Sequence, residues 1–480
     1  MRVGPMRRCG NSELSPPLAL NLQNKSLSSL YRSIGYAVTN ITEPQAERFG
    51  SLPNQSSSHH ERASKSRAML RRPRFLRRVR ALVSADPTGV RSGFVAHLLA
   101  IFTGLVAGLT LGSITGTLEA LPGLLVLVPA AVGLRGNVFG ALGSRLGTLV
   151  ATGGSYRTRR RTSEVNQNLR ASIGLSIGLS LLLALVAKIV ASAFGVPNAI
   201  GVDDFIVISL FGGLIPTFVV LAITMGVASL SVHRDWDVDN VSVPVVTAAG
   251  DVITLPSLFL ATLLVRDVPS WLPTFLAAIS IIIGVGFLVA GIRSAWPILR
   301  RITRESVPIL LAAGVVSTLA GVTIQSRFTP LIEYPALFIV IPPLLSLSGS
   351  LAGMLSARVA TKLHLGLVDP DRFVLGPVAD DVGLLYLIGI PIFLVLGLAA
   401  GLLAAVFSLA SPGVIELIEL LLMAGVLATT LAALAGYIGA IVTYRLGWDP
   451  DNNGVPIVSS ASDFLGAIAL MVSLAILGLS

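Results

Sequence analysis

Charge is what this 480-residue chain has least of: 12% of it is Asp, Glu, Lys or Arg, about half the share of an ordinary soluble domain. A water-facing surface for a chain of this length needs far more, so a large soluble enzyme is excluded. Cysteine is almost missing. Cys9 stands alone, which rules out an intramolecular disulfide framework and a thiolate metal cluster. Five histidines occur, His59, His60, His97, His233 and His364, too scattered for a zinc or haem array. There is no GxxxxGK[ST] phosphate loop, no HExxH and no GxSxG context. An ATP-driven engine and a hydrolase therefore have no support, and the chain reads as a non-enzyme without a resident cofactor.

What is abundant is apolar: 53% of the residues are hydrophobic and mean hydropathy is +0.81. The net charge of +10 suggests nucleic acid until its distribution is read. Residues 1–94 hold 16 Lys/Arg and 5 Asp/Glu, a net of +11, whereas residues 95–480 hold 19 and 20, a net of −1. The basicity belongs to a tail rich in Ser, Asn, Gln and Pro, read as disordered because it has too little apolar surface to repay ordering. Its last part, RRPRFLRRVR from Arg71, places Arg74, Arg77 and Arg78 beside Phe75 and Val79 ahead of the first apolar run. That suits anionic lipid headgroups better than nucleic acid.

From residue 95 onward, apolar runs near 20 residues long recur, enough to cross a hydrocarbon core about 30 Å thick as helices. Eleven are expected, near 95–117, 122–144, 171–195, 204–230, 243–265, 271–292, 306–325, 335–357, 382–405, 412–442 and 455–479. With the tail inside, the cytoplasmic connections carry 15 Lys/Arg and the outer ones only Arg266 and Arg327. That bias predicts a cytoplasmic N-terminus and an outside C-terminus in a cell membrane. Gly104, Gly108, Gly112 and Gly116 fall every fourth residue in the first span, a face on which another helix can approach closely.

Compared with itself, the chain repeats. VPAAVGLRGNVFGALGSRLGT at 128–148 aligns with IPPLLSLSGSLAGMLSARVAT at 341–361 at an offset of 213. WDVDNVSVPVVTAAGD at 236–251 aligns with WDPDNNGVPIVSSASD at 448–463 at an offset of 212, nine of sixteen positions being identical. Each half then has five spans and the sixth is a connector, so the second half re-enters the membrane in the orientation of the first. The predicted fold is an all-α polytopic membrane protein of about 11 transmembrane helices, two parallel five-helix repeats joined by a connecting helix. Its boundaries are a tail at 1–94, a first repeat at 95–266, a connecting helix and basic loop at 267–305, and a second repeat at 306–480. Such a pseudo-dimer has no need of a second chain.

Asp251 and Asp463 are equivalent by the repeat, and each follows a proline, Pro244 or Pro456, by seven residues in the fifth span of its half. A carboxylate in lipid is costly and should face the bundle interior or a cation. Two of them across a pseudo-axis repel unless a cation or water lies between, which favours a divalent ion. Oxygen ligands suit magnesium. Gly133-Leu134-Arg135-Gly136-Asn137 and its partner Ser346-Leu347-Ser348-Gly349-Ser350 are read as breaks in apolar helices that could expose carbonyls, with Asn137 and Ser350 as further candidates. Small polar groups also satisfy helix contacts, so both readings stand for these two. Arg145 and Arg358 end the same helices, where they can snorkel or guard a mouth. Asp239 and Asp451, or Asn240 and Asn452, could cap the fifth spans, while Asp380 and Asp381 read as a solvated helix start.

These residues resemble the membrane domain of the MgtE family of magnesium transporters, and more closely its duplicated solute carrier 41 relatives. The likeness lies in the P-x-L-x-G-x-x-G-N-like element with its following serine and arginine, matched from Pro129 to Arg145. A second element, D-x-x-x-P-x-x-x-x-x-x-D-like, is matched by Asp239 to Asp251 and by Asp451 to Asp463. The resemblance covers about residues 95–480 and implies transport of divalent cations, usually Mg2+ with Mn2+ or Co2+ as further candidates. It implicates Asp251 and Asp463 as metal ligands first, then Asn137 and Ser350. Gly349-Ser350 departs from Gly136-Asn137, and the soluble regulatory domains of bacterial relatives are missing. A Na+- or H+-coupled Mg2+ exchanger and a non-transporting scaffold are the competing expectations.

Overall fold

A computed structural model describes residues 87–151, 163–234, 238–372, 376–448 and 454–479, without the side chains of 87–90, 92, 150–151 and 231–244. The expectations for residues 1–86 therefore lie outside the described residues, as does the capping expected of Asp239, Asn240, Asp451 and Asn452. Among the described residues the chain is helical throughout. The order is α1 (Pro87–Ser113), α2 (Thr115–Ala120), α3 (Leu124–Ala151), α4 (Glu164–Ala193), α5 (Val202–Arg234), α6 (Val238–Thr262) and α7 (Trp271–Ile292). It continues with α8 (Pro297–Gln325), α9 (Phe328–Glu333), α10 (Ala336–His364), α11 (Ala379–Val406), α12 (Val414–Arg445) and α13 (Val455–Ile476). Among the described residues, eleven helices are long and apolar enough to cross a membrane, and the protein is a multi-pass membrane protein. Several start earlier than expected. The apolar run marks only what lies in hydrocarbon, whereas α4 begins at Glu164, one residue after Ser163 whose hydroxyl accepts from the Asn166 amide.

The two halves repeat in detail. Short α2 and α9 each precede the long second span, and their C-terminal caps adopt the same backbone, Leu121 at φ −125°, ψ 71° and Tyr334 at φ −125°, ψ 81°. Within each half the fourth and fifth spans pack together, α5 on α6 and α12 on α13, and the second span packs on the fifth, α3 on α6 and α10 on α13. The connector α7 lies at the periphery: 22% of its apolar window is buried, against 72% for α3 and α10.

The first spans cross over. α1 packs on α10 and α11 of the other half, and α8 packs on α3 and α4. Glycine permits it. A methyl group on Gly108 would land on the Ile339 carbonyl of α10, and one on Gly321 would stand 2.6 Å from the Leu125 and Val126 carbonyls of α3. Gly108 and Gly321 differ by 213 residues, as do Val126 and Ile339, so one backbone contact is made twice. Gly104 meets Pro343 and Gly112 meets Pro335, but Gly116 has nothing within 4 Å. Three of the four glycines thus form the expected close face, and the fourth lies in α2.

The expected breaks do not occur. α3 runs unbroken through Gly133 to Asn137 and α10 through Ser346 to Ser350, so their backbone carbonyls remain inside the helix. A glycine costs a helix only about 1 kcal/mol, and neither segment contains a proline to remove an amide. These glycines act by letting neighbours approach. A methyl on Gly136 would contact Thr247 of α6 at 3.6 Å, and one on Gly349 would sit 3.0 Å from the Ser459 hydroxyl of α13.

Candidate functional site

The polar residues that the sequence singles out lie where the fifth span of each half packs against the long second spans α3 and α10. Asp251 of α6 is 6% exposed, and Ser346 of α10 donates a hydrogen bond to its Oδ2 at 3.3 Å. Asp463 of α13 is half-buried. The Gly133 α-carbon on α3 faces it: a methyl there would lie 3.9 Å from Asp463 Oδ2 and 3.7 Å from the Ser317 hydroxyl of α8. Gly133 and Ser346 differ by 213 residues. Each aspartate therefore reaches the same position on the long helix of the opposite half, and the two carboxylates are within electrostatic reach of one another.

Two narrow crevices adjoin the Asn137 face of α3. One is lined by Gly133, Asn137, Leu310, Gly314, Ser317 and Ser460. The other is bounded by Asn137, Arg145, Ser306, Leu310 and Pro456. Asn137 lines both, between Gly133, which faces Asp463, and Arg145. On α10 the face carrying Ser346 and Ser350 continues through Gly353, which has nothing within 4 Å, to exposed Ala357 and Thr361.

Ser350 does not meet either aspartate directly. Its hydroxyl lies 3.0 Å from His97 Nε2 of α1 and 3.1 Å from the Leu347 carbonyl. His97 was missed in the sequence because its equivalent 213 residues on is Leu310, and a search for identity passes over such a pair. Leu310 lines both crevices beside Asn137, so His97 with Ser350 is the counterpart of Leu310 with Asn137.

Two further differences break the symmetry. Arg135, between Gly133 and Asn137, is fully buried; it donates to the Ala131 carbonyl at 2.7 Å and to the Ser180 hydroxyl at 2.8 Å. Its guanidinium fills the space over Gly213, whereas the equivalent glycine, Gly425, is covered by the Phe393 ring. The volume taken by Arg135 and Ser180 in one half is thus taken by Ser348 and Phe393 in the other. At the far end of α10, Asp381 is no solvated helix start: it is buried, 2.5 Å from Lys362 Nζ and 3.6 Å from Arg358. The equivalent pair is Arg145 and Asn168. Among the described residues, Arg145 Nε and Nη2 and Asn168 Oδ1 have no hydrogen-bond partner.

Residues 128–261 and 341–473 both match the MgtE family profile, described as "Divalent cation transporter". Together these stretches make up more than half of the chain. The chain belongs to the MgtE family. Solute carrier family 41 member 3 of Rattus norvegicus is 25% identical over 369 residues, covering 72% of this chain and 78% of that protein. Solute carrier family 41 member 2 of Homo sapiens is 25% identical over 405 residues, covering 79% of this chain and 69% of its own. No solved structure matches. The two MgtE matches fall one in each structural half, so this family's membrane region is duplicated here, and divalent-cation transport is the activity its membership gives. Among the described residues, no three His, Cys, Asp or Glu side chains gather to hold an ion. The ion is cargo.

Proposed function

We propose that this MgtE-family chain carries Mg2+ across a cell membrane along a path between its two repeats, with Asp251 and Asp463 as the acidic ligands of the passing ion. The observation that carries the reading is the reciprocal placement of the two carboxylates, each against the long helix of the opposite half. Two carboxylates held close in a low-dielectric interior repel, and a divalent cation between them removes that cost. Mg2+ keeps part of its octahedral water shell. The hydroxyls of Ser346 and Ser317 beside the carboxylates are suited to receive such waters, and Asn137 and Ser350 are the next ligands one helical turn along.

The arginine and lysine bias supports a cytoplasmic N-terminus and an outside C-terminus, with the basic tail against anionic lipid. One chain supplies both halves and works as a monomeric pseudo-dimer, divided at 95–266, 267–305 and 306–480. Uptake of Mg2+ into proteoliposomes tests the assignment. Asp251→Asn and Asp463→Asn should each lower flux by about tenfold or more while the protein elutes unchanged; full flux in both would remove the two aspartates from the path. Imposing Na+, H+ and voltage gradients one at a time in the same assay separates uncoupled movement from exchange.

A further inference from the structure

Among the described residues, His97 is the one histidine whose side chain meets the polar faces near the carboxylates, and its surroundings fix what it offers. Its Nδ1 lies 2.6 Å from the Gly93 carbonyl, which can only accept, so Nδ1 carries the hydrogen and the imidazole turns Nε2 toward Ser350. A backbone carbonyl on one ring nitrogen, orienting the other, is the usual support of a metal-binding histidine. The ring is 4% exposed, but its partner Ser350 is open. Ser350 follows Ser346 by four residues, about 6 Å along the same helix face, and Ser346 is bonded to Asp251. The ion's next stop beyond the carboxylates on this side is therefore a hydroxyl backed by an imidazole nitrogen.

The other side has no such nitrogen, because Leu310 stands where His97 would be. Oxygen donors suit Mg2+, whereas imidazole raises affinity for Co2+ and its neighbours in the transition series. Resting on the transport reading above, we propose that His97 is a selectivity-determining residue: with Ser350 it forms a nitrogen-and-oxygen station that favours borderline divalent ions such as Co2+ over Mg2+ on one side of the path only. The nitrogen replaces one water of a partly dehydrated ion, with Ser350 turning its hydroxyl back to the Leu347 carbonyl to free the Nε2 lone pair.

Proteoliposome uptake of Co2+ and Mg2+ in competition, on the full chain, reads the ratio directly. His97→Leu, which copies Leu310, and His97→Gln should lower the Co2+ to Mg2+ ratio on the order of tenfold, and Leu310→His should raise it. In parallel, pulsed electron paramagnetic resonance of Mn2+ bound to the unaltered protein should show imidazole ¹⁴N coupling that disappears in His97→Gln. An unchanged ratio in the folded variants overturns the proposal, as does absence of ¹⁴N coupling in the unaltered protein, a result independent of whether any variant folds. Loss of transport in Asp251→Asn alongside an unchanged ratio would sink the role of His97 alone; full transport in both aspartate variants would sink the underlying path as well.

Discussion

Ser346 and Asp251 meet across the boundary between the two halves, hydroxyl to carboxylate at 3.3 Å, while Asp463 at the equivalent place faces Gly133, which has no side chain to offer. One aspartate is thus held by a hydroxyl on the long helix of the opposite half, whereas its twin takes its hydroxyl from Ser317 of α8. A hydrogen bond to a charged group contributes about 1.5–3 kcal/mol. Ser346→Gly, which makes the second half copy the first, should raise the half-saturating Mg2+ concentration by roughly tenfold without abolishing transport. Uptake measured across a range of Mg2+ concentrations checks it, and an unaltered curve would show that the bond does not orient Asp251.

The crossing glycines should be the least replaceable residues of the bundle. Gly108→Ala and Gly321→Ala would each drive a methyl into a backbone carbonyl that cannot step aside. Overpacking of this kind costs about 1–3 kcal/mol or more, so the thermal midpoint in detergent should fall clearly for both. Gly116→Ala, with nothing within 4 Å, should stay close to the unaltered protein.

Asp381→Asn should remove a buried partner of Lys362 and Arg358 and lower stability by about 1–3 kcal/mol, since the two cations are themselves partly solvated. The converse experiment uses the first half. Asn168→Asp should supply Arg145 with the counter-charge that Arg358 already has, and raise the unfolding midpoint. Equal midpoints in both variants would show that the two arginine sites are not equivalent.

The space over Gly213 and Gly425 makes a prediction about compensation. Arg135→Ser alone leaves a cavity where the guanidinium was and should destabilise the protein. Adding Ser180→Phe recreates the filling seen around Gly425, and the double variant should recover much of the loss. A double-mutant cycle on unfolding midpoints measures the coupling, and strict additivity would show that the two positions do not share one volume.

Much of this arrangement is legible in the chain because bilayer thickness and the cost of lipid-exposed charge are severe constraints. They make the eleven spans visible, and the paired offsets of 213 and 212 expose the duplication together with Asp251 and Asp463. Pairing between halves is not visible. A repeat says that Gly108 and Gly321 are alike, but not that each packs on the other's half, because that depends on distant contacts with no local pattern. The helical turns α2 and α9 are too short to show a period. The continuity of α3 through Gly133 to Asn137 is hidden for a different reason: glycine weakens a helix, and only the surrounding packing decides whether it breaks. Asp381 looked solvated because its partners Lys362 and Arg358 lie about twenty residues upstream.

The exchange of first helices also constrains how the bundle can move. Backbone touches backbone where α1 crosses α10 and again where α8 crosses α3, with glycine leaving no compressible side chain between them. Swinging the halves apart like the covers of a book would have to pull both crossings open at once. The low-cost motions are those that keep the crossings as fixed pivots and let α6 and α13, which carry the two aspartates, slide or tilt against the long helices beside them.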